Sequence, residues 1–164
     1  MSRGRVGWIL PISFVVALLL GLLPMPDFLQ PLRPYWLALI LAYWVIEAPD
    51  NVGLGVAFIV GVVADLMYGG LLGEQALRLV VLAFLVQRFR ARLRFFPLWQ
   101  QALAVFALLL NDRLIALAIA LARGDGMPPW GTWLSPVVGF ALWPWLVLLL
   151  GELRLRLRDR APGN

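Results

Sequence analysis

The sequence predicts an all-α, polytopic membrane protein of six transmembrane helices, with both termini on the cytoplasmic side. Three observations predict it: a composition too apolar for a water-soluble globule, six apolar stretches parted by short breaks, and a lopsided placement of arginine. The 164 residues are 62% hydrophobic and 14% charged, with a mean hydropathy of +0.87. A soluble domain is typically about half apolar and about a quarter charged, so one small core cannot hide this excess.

Crossing a hydrocarbon layer of about 30 Å takes about 20 helical residues. The first segment, 6–23, has the basic-then-apolar layout of a secretory leader. No small-x-small cleavage site follows it, and it is long enough to span, so it reads as a retained helix. The second, 32–48, is short and carries prolines near both ends, Pro34 and Pro49. The third and fourth cover 52–68 and 71–87, the fifth 98–122 and the sixth 133–150. The breaks "PMPDFLQP", "APDN", "YGG" and "RGDGMPPWG" are rich in turn formers. The whole of 1–164 therefore reads as a single transmembrane domain.

Every basic residue is arginine. With the N-terminus inside, the inner ends hold Arg3 and Arg5, Arg88, Arg90, Arg92 and Arg94, and Arg154, Arg156, Arg158 and Arg160. The outer loops hold only Arg33 and Arg123. This is a strong positive-inside bias. The clusters "RFRARLRFF" and "RLRLRDR" read as topology anchors against anionic lipid headgroups, with contact to a cytoplasmic protein as the alternative. Nucleic acid is not an expected partner, because no fold beyond the membrane helices would present the groups.

Cysteine and histidine are absent. That excludes a disulfide scaffold, a Cys/His zinc site and any mechanism with a histidine base. No serine has a base to activate it, and no glycine loop follows a strand pattern, so the chain reads as a non-enzyme without metal or cofactor.

One stretch runs against the apolar background. "ADLMYGGLLGEQALRLVV" places Asp65, Glu74 and Arg78 within fourteen residues. With six spans it is the outer turn of a helical hairpin, in which Gly69 and Gly70, with Gly73, permit a tight reversal. Glu74 and Arg78 are four apart and share a helix face. Asp112 and Arg113 fall at similar depth on the fifth helix. Charges at membrane depth cost roughly 2.5–3.5 kcal/mol each on insertion scales, so they turn inward and pair. Gly53, Ala57 and Gly61 form a small-residue stripe ending on Asp65, which favours close helix approach. The expectation is a structural ion-pair cluster of Asp65, Glu74, Arg78 and Asp112, in which Arg78 bridges Asp65, Asp112 or both. Snorkelling to water and a proton relay or substrate counter-ion are the alternatives.

Most tryptophans fall near span ends, as an interfacial belt requires. "LWPW" at 142–145 differs, because Pro144 lies inside the sixth helix and should bend it, splaying Trp143 and Trp145. That ridge is either a docking surface for another membrane protein or a bend that fits the bundle.

The order of these motifs resembles the rod shape-determining protein MreD family of bacterial inner membranes. The resemblance rests on "RPYWLALILAYW" (33–44), "GVVADLMYGGLLGEQAL" (61–77), "LWQQALAVF" (98–106) and "LWPW" (142–145), in family order over nearly the whole chain. Asp65, Gly69, Leu72 and Gly73 match in the hairpin, and Trp143, Pro144 and Trp145 in the sixth helix. The resemblance implies a non-enzymatic scaffold that binds MreC, in an assembly with MreB, RodA and its penicillin-binding transpeptidase, which inserts side-wall peptidoglycan. It also implies a fold similar to the substrate-binding components of energy-coupling vitamin transporters. A small-ligand-binding or transport component is the competing reading.

Overall fold

The computed structural model describes residues 3–159, with side chains from residue 7 onward. Arg160 and the side chains of Arg3 and Arg5 lie outside the described residues. Among those residues every regular element is helical: α1 (Arg3–Leu22), α2 (Trp36–Glu47), α3 (Leu54–Tyr68), α4 (Glu74–Leu93), α5 (Leu98–Arg123) and α6 (Leu134–Asp159). Single 3₁₀ turns at Gln30–Leu32 and Trp130–Trp133 precede α2 and α6 and pack on each other.

The sequence explains most of the boundaries. Pro49 disfavours helix at Ala48 and so ends α2. Gly69 and Gly124 cap α3 and α5 in the left-handed conformation, and Pro97 precedes α5. Two boundaries depart furthest from expectation. The fourth helix runs to Leu93, past 87, and the sixth runs to Asp159, past 150. Both continue because arginine and leucine are good helix formers and no proline intervenes before Pro97 or before the end of α6. The basic clusters thus ride on helix extensions, whereas the sequence pattern stops each helix where apolarity stops.

The α2 helix is the centre of the molecule. Leu37 to Ile46 are all buried, and α1, α4, α5 and α6 pack around them. Its 12 residues span only about 18 Å at 1.5 Å per residue. The α3 helix lies outside this ring, joined chiefly to α4 through Gly61: a methyl group there would fall 2.6 Å from the backbone nitrogen of Ala76.

The outward faces are as apolar as the core. Phe58, Ile59 and Leu66 on α3, and Trp145, Leu148 and Leu149 on α6, are exposed. Two stretches, Leu98–Arg123 and Trp130–Asp159, are long and apolar enough to cross a membrane, and Gly7–Leu22 and Leu54–Tyr68 are apolar but shorter.

Candidate functional site

The buried charged residues Asp65, Arg78 and Asp112 collect at one end, where α2 and α4 begin, α3 ends, and α5 passes. The α4 helix starts behind Gly73, whose φ of 97° suits glycine and whose missing side chain leaves the helix without a cap of its own. Asp65 supplies one from α3. Its Oδ2 accepts from the backbone nitrogens of Gly73 at 2.8 Å and Ala76 at 3.4 Å, and its Oδ1 accepts from that of Gln75 at 2.9 Å. A carboxylate on the amino end of a helix meets both the orphan donors and the positive end of the dipole.

Asp65 therefore makes no ion pair with Arg78, contrary to one branch of the sequence expectation. The physical reason is that backbone donors at the start of α4 already engage both of its oxygens. Arg78 turns instead to α5. Its Nε donates to Asp112 Oδ1 at 2.9 Å and Nη2 to Oδ2 at 2.5 Å, a two-pronged contact between side chains that are both buried. The guanidinium also lies 5.0 Å from the centre of the Tyr35 ring, at the start of α2. Glu74 stands 3.8 Å from Arg78 and 3.5 Å from Arg123, on the solvent side of the pair. Tyr35 donates its hydroxyl to Gln75 Oε1, which closes a network across α2, α3, α4 and α5.

Above this network opens a cavity of about 540 Å³. Arg33, Arg78 and Arg113 line it with Tyr35, Gln75 and Ser135, and no carboxylate does. Arg33 and Arg113 form no salt bridge among the described residues. Nothing in the sequence pattern marked this cavity or the parts played by Tyr35 and Gln75. Glycine at the start of α4 was the one available signal that a cap had to come from elsewhere.

The remaining expected sites divide. Gly69 has the left-handed φ of 68° that a helix-ending glycine adopts, whereas Gly70 does not need glycine geometry. Trp143 is buried, and its indole nitrogen donates to Gln101 at 3.3 Å, so it belongs to the core and not to a docking ridge. Pro144 is half-buried within a continuous α6, and Trp145 is 72% exposed. Of the arginines at the opposite end, two hold the last turn of α2. Arg90 Nε donates to the Ile46 carbonyl at 3.0 Å, and Arg154 meets Glu47 at 3.1 Å and the face of Trp44. Arg156 pairs with Glu152 one turn earlier. Arg88, Arg92, Arg94 and Arg158 are exposed.

Comparison with known proteins agrees with the resemblance drawn from the motifs. Residues 2–153 match the family model described as rod shape-determining protein MreD. The chain is 33% identical over 158 residues to the rod shape-determining protein MreD of Haemophilus influenzae, covering 96% of this chain and 98% of that protein. No solved structure matches. By the extent of both matches, which take in the capped hairpin, the Arg78–Asp112 pair and the buried Trp143, this chain belongs to the rod shape-determining MreD family.

Proposed function

We propose that the protein is a non-enzymatic, six-span scaffold of the bacterial inner membrane with both termini cytoplasmic. It binds MreC and helps MreB, RodA and its penicillin-binding transpeptidase act together in side-wall peptidoglycan synthesis. One observation carries the reading. The buried ionic groups are matched inside the bundle, while the large apolar side chains face outward on α3, α5 and α6. A chain built so is stable only where its surroundings are themselves apolar, and its outer faces suit packing against other membrane helices. The arginine clusters at the opposite end from the cavity support a cytoplasmic placement of that end. The short α2 crosses as part of a packed assembly, with Arg90 on the Ile46 carbonyl and Arg154 on Glu47 at its last turn.

The test is co-expression with MreC, extraction in a mild non-ionic detergent, and affinity capture of either protein followed by gel filtration. A single co-eluting peak that is lost when the transmembrane segment of MreC is replaced by an unrelated one is the expected result. Separate elution of two intact proteins rejects the scaffold reading.

The cavity favours a second reading, a ligand-binding component resembling the substrate-binding parts of energy-coupling vitamin transporters. Its size falls in the range of small-molecule sites, and its polar groups converge from α4, α5, α6 and the segments that precede α2 and α6. A molecule that co-purifies with the protein in the absence of any partner supports it.

A further inference from the structure

The arginine-lined cavity borders an apolar groove between α1 and α6. The groove has a volume of about 370 Å³ and shares Ala17 and Trp36 with the cavity as common walls. It runs along α1 from Leu20 back to Ile9, roughly 16 Å at the helical rise, and along α6 from Leu142 to Leu153. Its one side-chain hydroxyl, on Ser13, is occupied: it accepts from the Trp44 indole at 2.7 Å and donates to the Leu10 carbonyl at 2.7 Å. Nothing in the groove asks for a polar guest.

The two halves differ sharply in what they would hold. In the cavity, the Arg78 charge is answered by Asp112, whereas Arg33 and Arg113 form no salt bridge among the described residues. A guanidinium left in that state attracts an anion and is shaped to grip a phosphate or carboxylate by two N–H groups at once. Tyr35, Gln75, Thr132 and Ser135 add neutral hydrogen-bonding groups around the same space. The charged half lies at the end of the bundle away from the arginine clusters, and the groove leads from it toward the other end. One molecule with an anionic head and a hydrocarbon tail satisfies both.

We propose that cavity and groove form one binding site for a phospholipid of net negative headgroup, its phosphate between Arg33 and Arg113 and one chain lying between α1 and α6. The assignment rests on the ligand-binding reading of the cavity and names its ligand class; the MreC-binding reading stands or falls independently. Because neither arginine forms a salt bridge among the described residues, their replacement removes the anion contact without breaking one of the ion pairs found there, unlike replacement of Arg78.

Native mass spectrometry of the full chain in non-ionic detergent tests this, with phosphatidylglycerol and phosphatidylcholine of matched chains as probes. Phosphatidylglycerol is expected to bind with one dominant stoichiometry and to survive detergent exchange, whereas phosphatidylcholine does not. The R33Q/R113Q double variant is expected to bind phosphatidylglycerol about tenfold more weakly or worse. R33K/R113K retains binding, and R92Q/R158Q, in the clusters at the other end, binds as wild type. Phosphatidylglycerol with a brominated chain quenches tryptophan fluorescence in the wild type, since Trp36 and Trp145 line the groove, and does so less in R33Q/R113Q.

Equal retention of the two lipids, or displacement of phosphatidylglycerol by inorganic phosphate at equimolar concentration, overturns the lipid assignment and leaves the cavity as a site of another class. Retention of neither lipid, with inorganic phosphate also failing to shift the melting temperature of the wild type, overturns the ligand-binding reading as well. Unchanged binding in R33Q/R113Q, or loss in R92Q/R158Q, shows that the lipid sits elsewhere. The comparison of the two lipids needs no variant, so a misfolded double variant does not spare the proposal.

Discussion

At the scale of single residues, Arg78 is the most heavily engaged side chain at the polar end. It meets Asp112 by two hydrogen bonds, approaches Glu74, and covers the Tyr35 ring. Removing one partner of a buried pair leaves the other charged and unanswered, at a cost of about 3–5 kcal/mol. Arg123 contacts Glu74 and Asp125 from a half-exposed position, where such pairs contribute about 0–1 kcal/mol. Arg78→Leu should therefore lower the melting temperature in detergent far more than Arg123→Leu, and equal melting curves would remove the pair from any account of stability. Asp65 acts differently, through three backbone donors. Asp65→Ala should cost on the order of 1–2 kcal/mol, the worth of a strong helix cap. The loss should appear as faster hydrogen exchange confined to the first turn of α4, a pattern that a broken ion pair to α5 would not give.

At the scale of elements, the α3–α4 hairpin is set by glycines with distinct duties. Gly73 adopts a backbone conformation that strains other residues, and Gly61 lets two helix backbones meet. Gly73→Ala should destabilise by about 1–2 kcal/mol through backbone strain alone. Gly61→Val, which forces α3 away from α4 and pulls Asp65 from its donors, should do more, with the order of the two melting temperatures as the check. The basic clusters also gain a structural part at this scale. Arg90 answers the Ile46 carbonyl in the last turn of α2, and Arg154 pairs with the Glu47 side chain in the same turn. Their interleaving with apolar residues in sequence suggested topology anchors alone, yet the exposed Arg88, Arg92 and Arg158 differ from them in the helix face they occupy.

For the whole molecule, the proposed topology puts the cavity end and the arginine end on opposite sides of a membrane. The absence of native cysteine makes this directly measurable, because each introduced thiol is the only one in the chain. Single cysteines at Asp27 and Asp125 should react with a membrane-impermeant maleimide in intact spheroplasts. Those at Phe95 and Arg158 should react only after permeabilisation. Reaction at all four positions without permeabilisation would reject the six-span arrangement.

The sequence by itself determined the helical class, the order of the segments, the turn between α3 and α4 and the family. Each of these depends on local chemistry: runs of apolar residues, proline and glycine breaks, and motifs read along the chain. It also marked Asp65, Glu74, Arg78 and Asp112 as unusual, because charge is conspicuous against an apolar background. It did not reveal which face of each helix turns inward. In α1 the buried Ile9, Phe14 and Leu18 and the exposed Ile12, Val16 and Leu19 are chemically alike, so periodicity carries no contrast. Only the tertiary structure decided that α2 is the core, that Trp143 points in while Trp145 points out, and that Asp65 spends its charge on a helix end. The same packing brought Arg33 and Arg113, eighty residues apart in the chain, to the wall of one cavity. Such choices depend on which surfaces meet across the bundle, and a one-dimensional pattern of uniformly apolar helices leaves that undetermined.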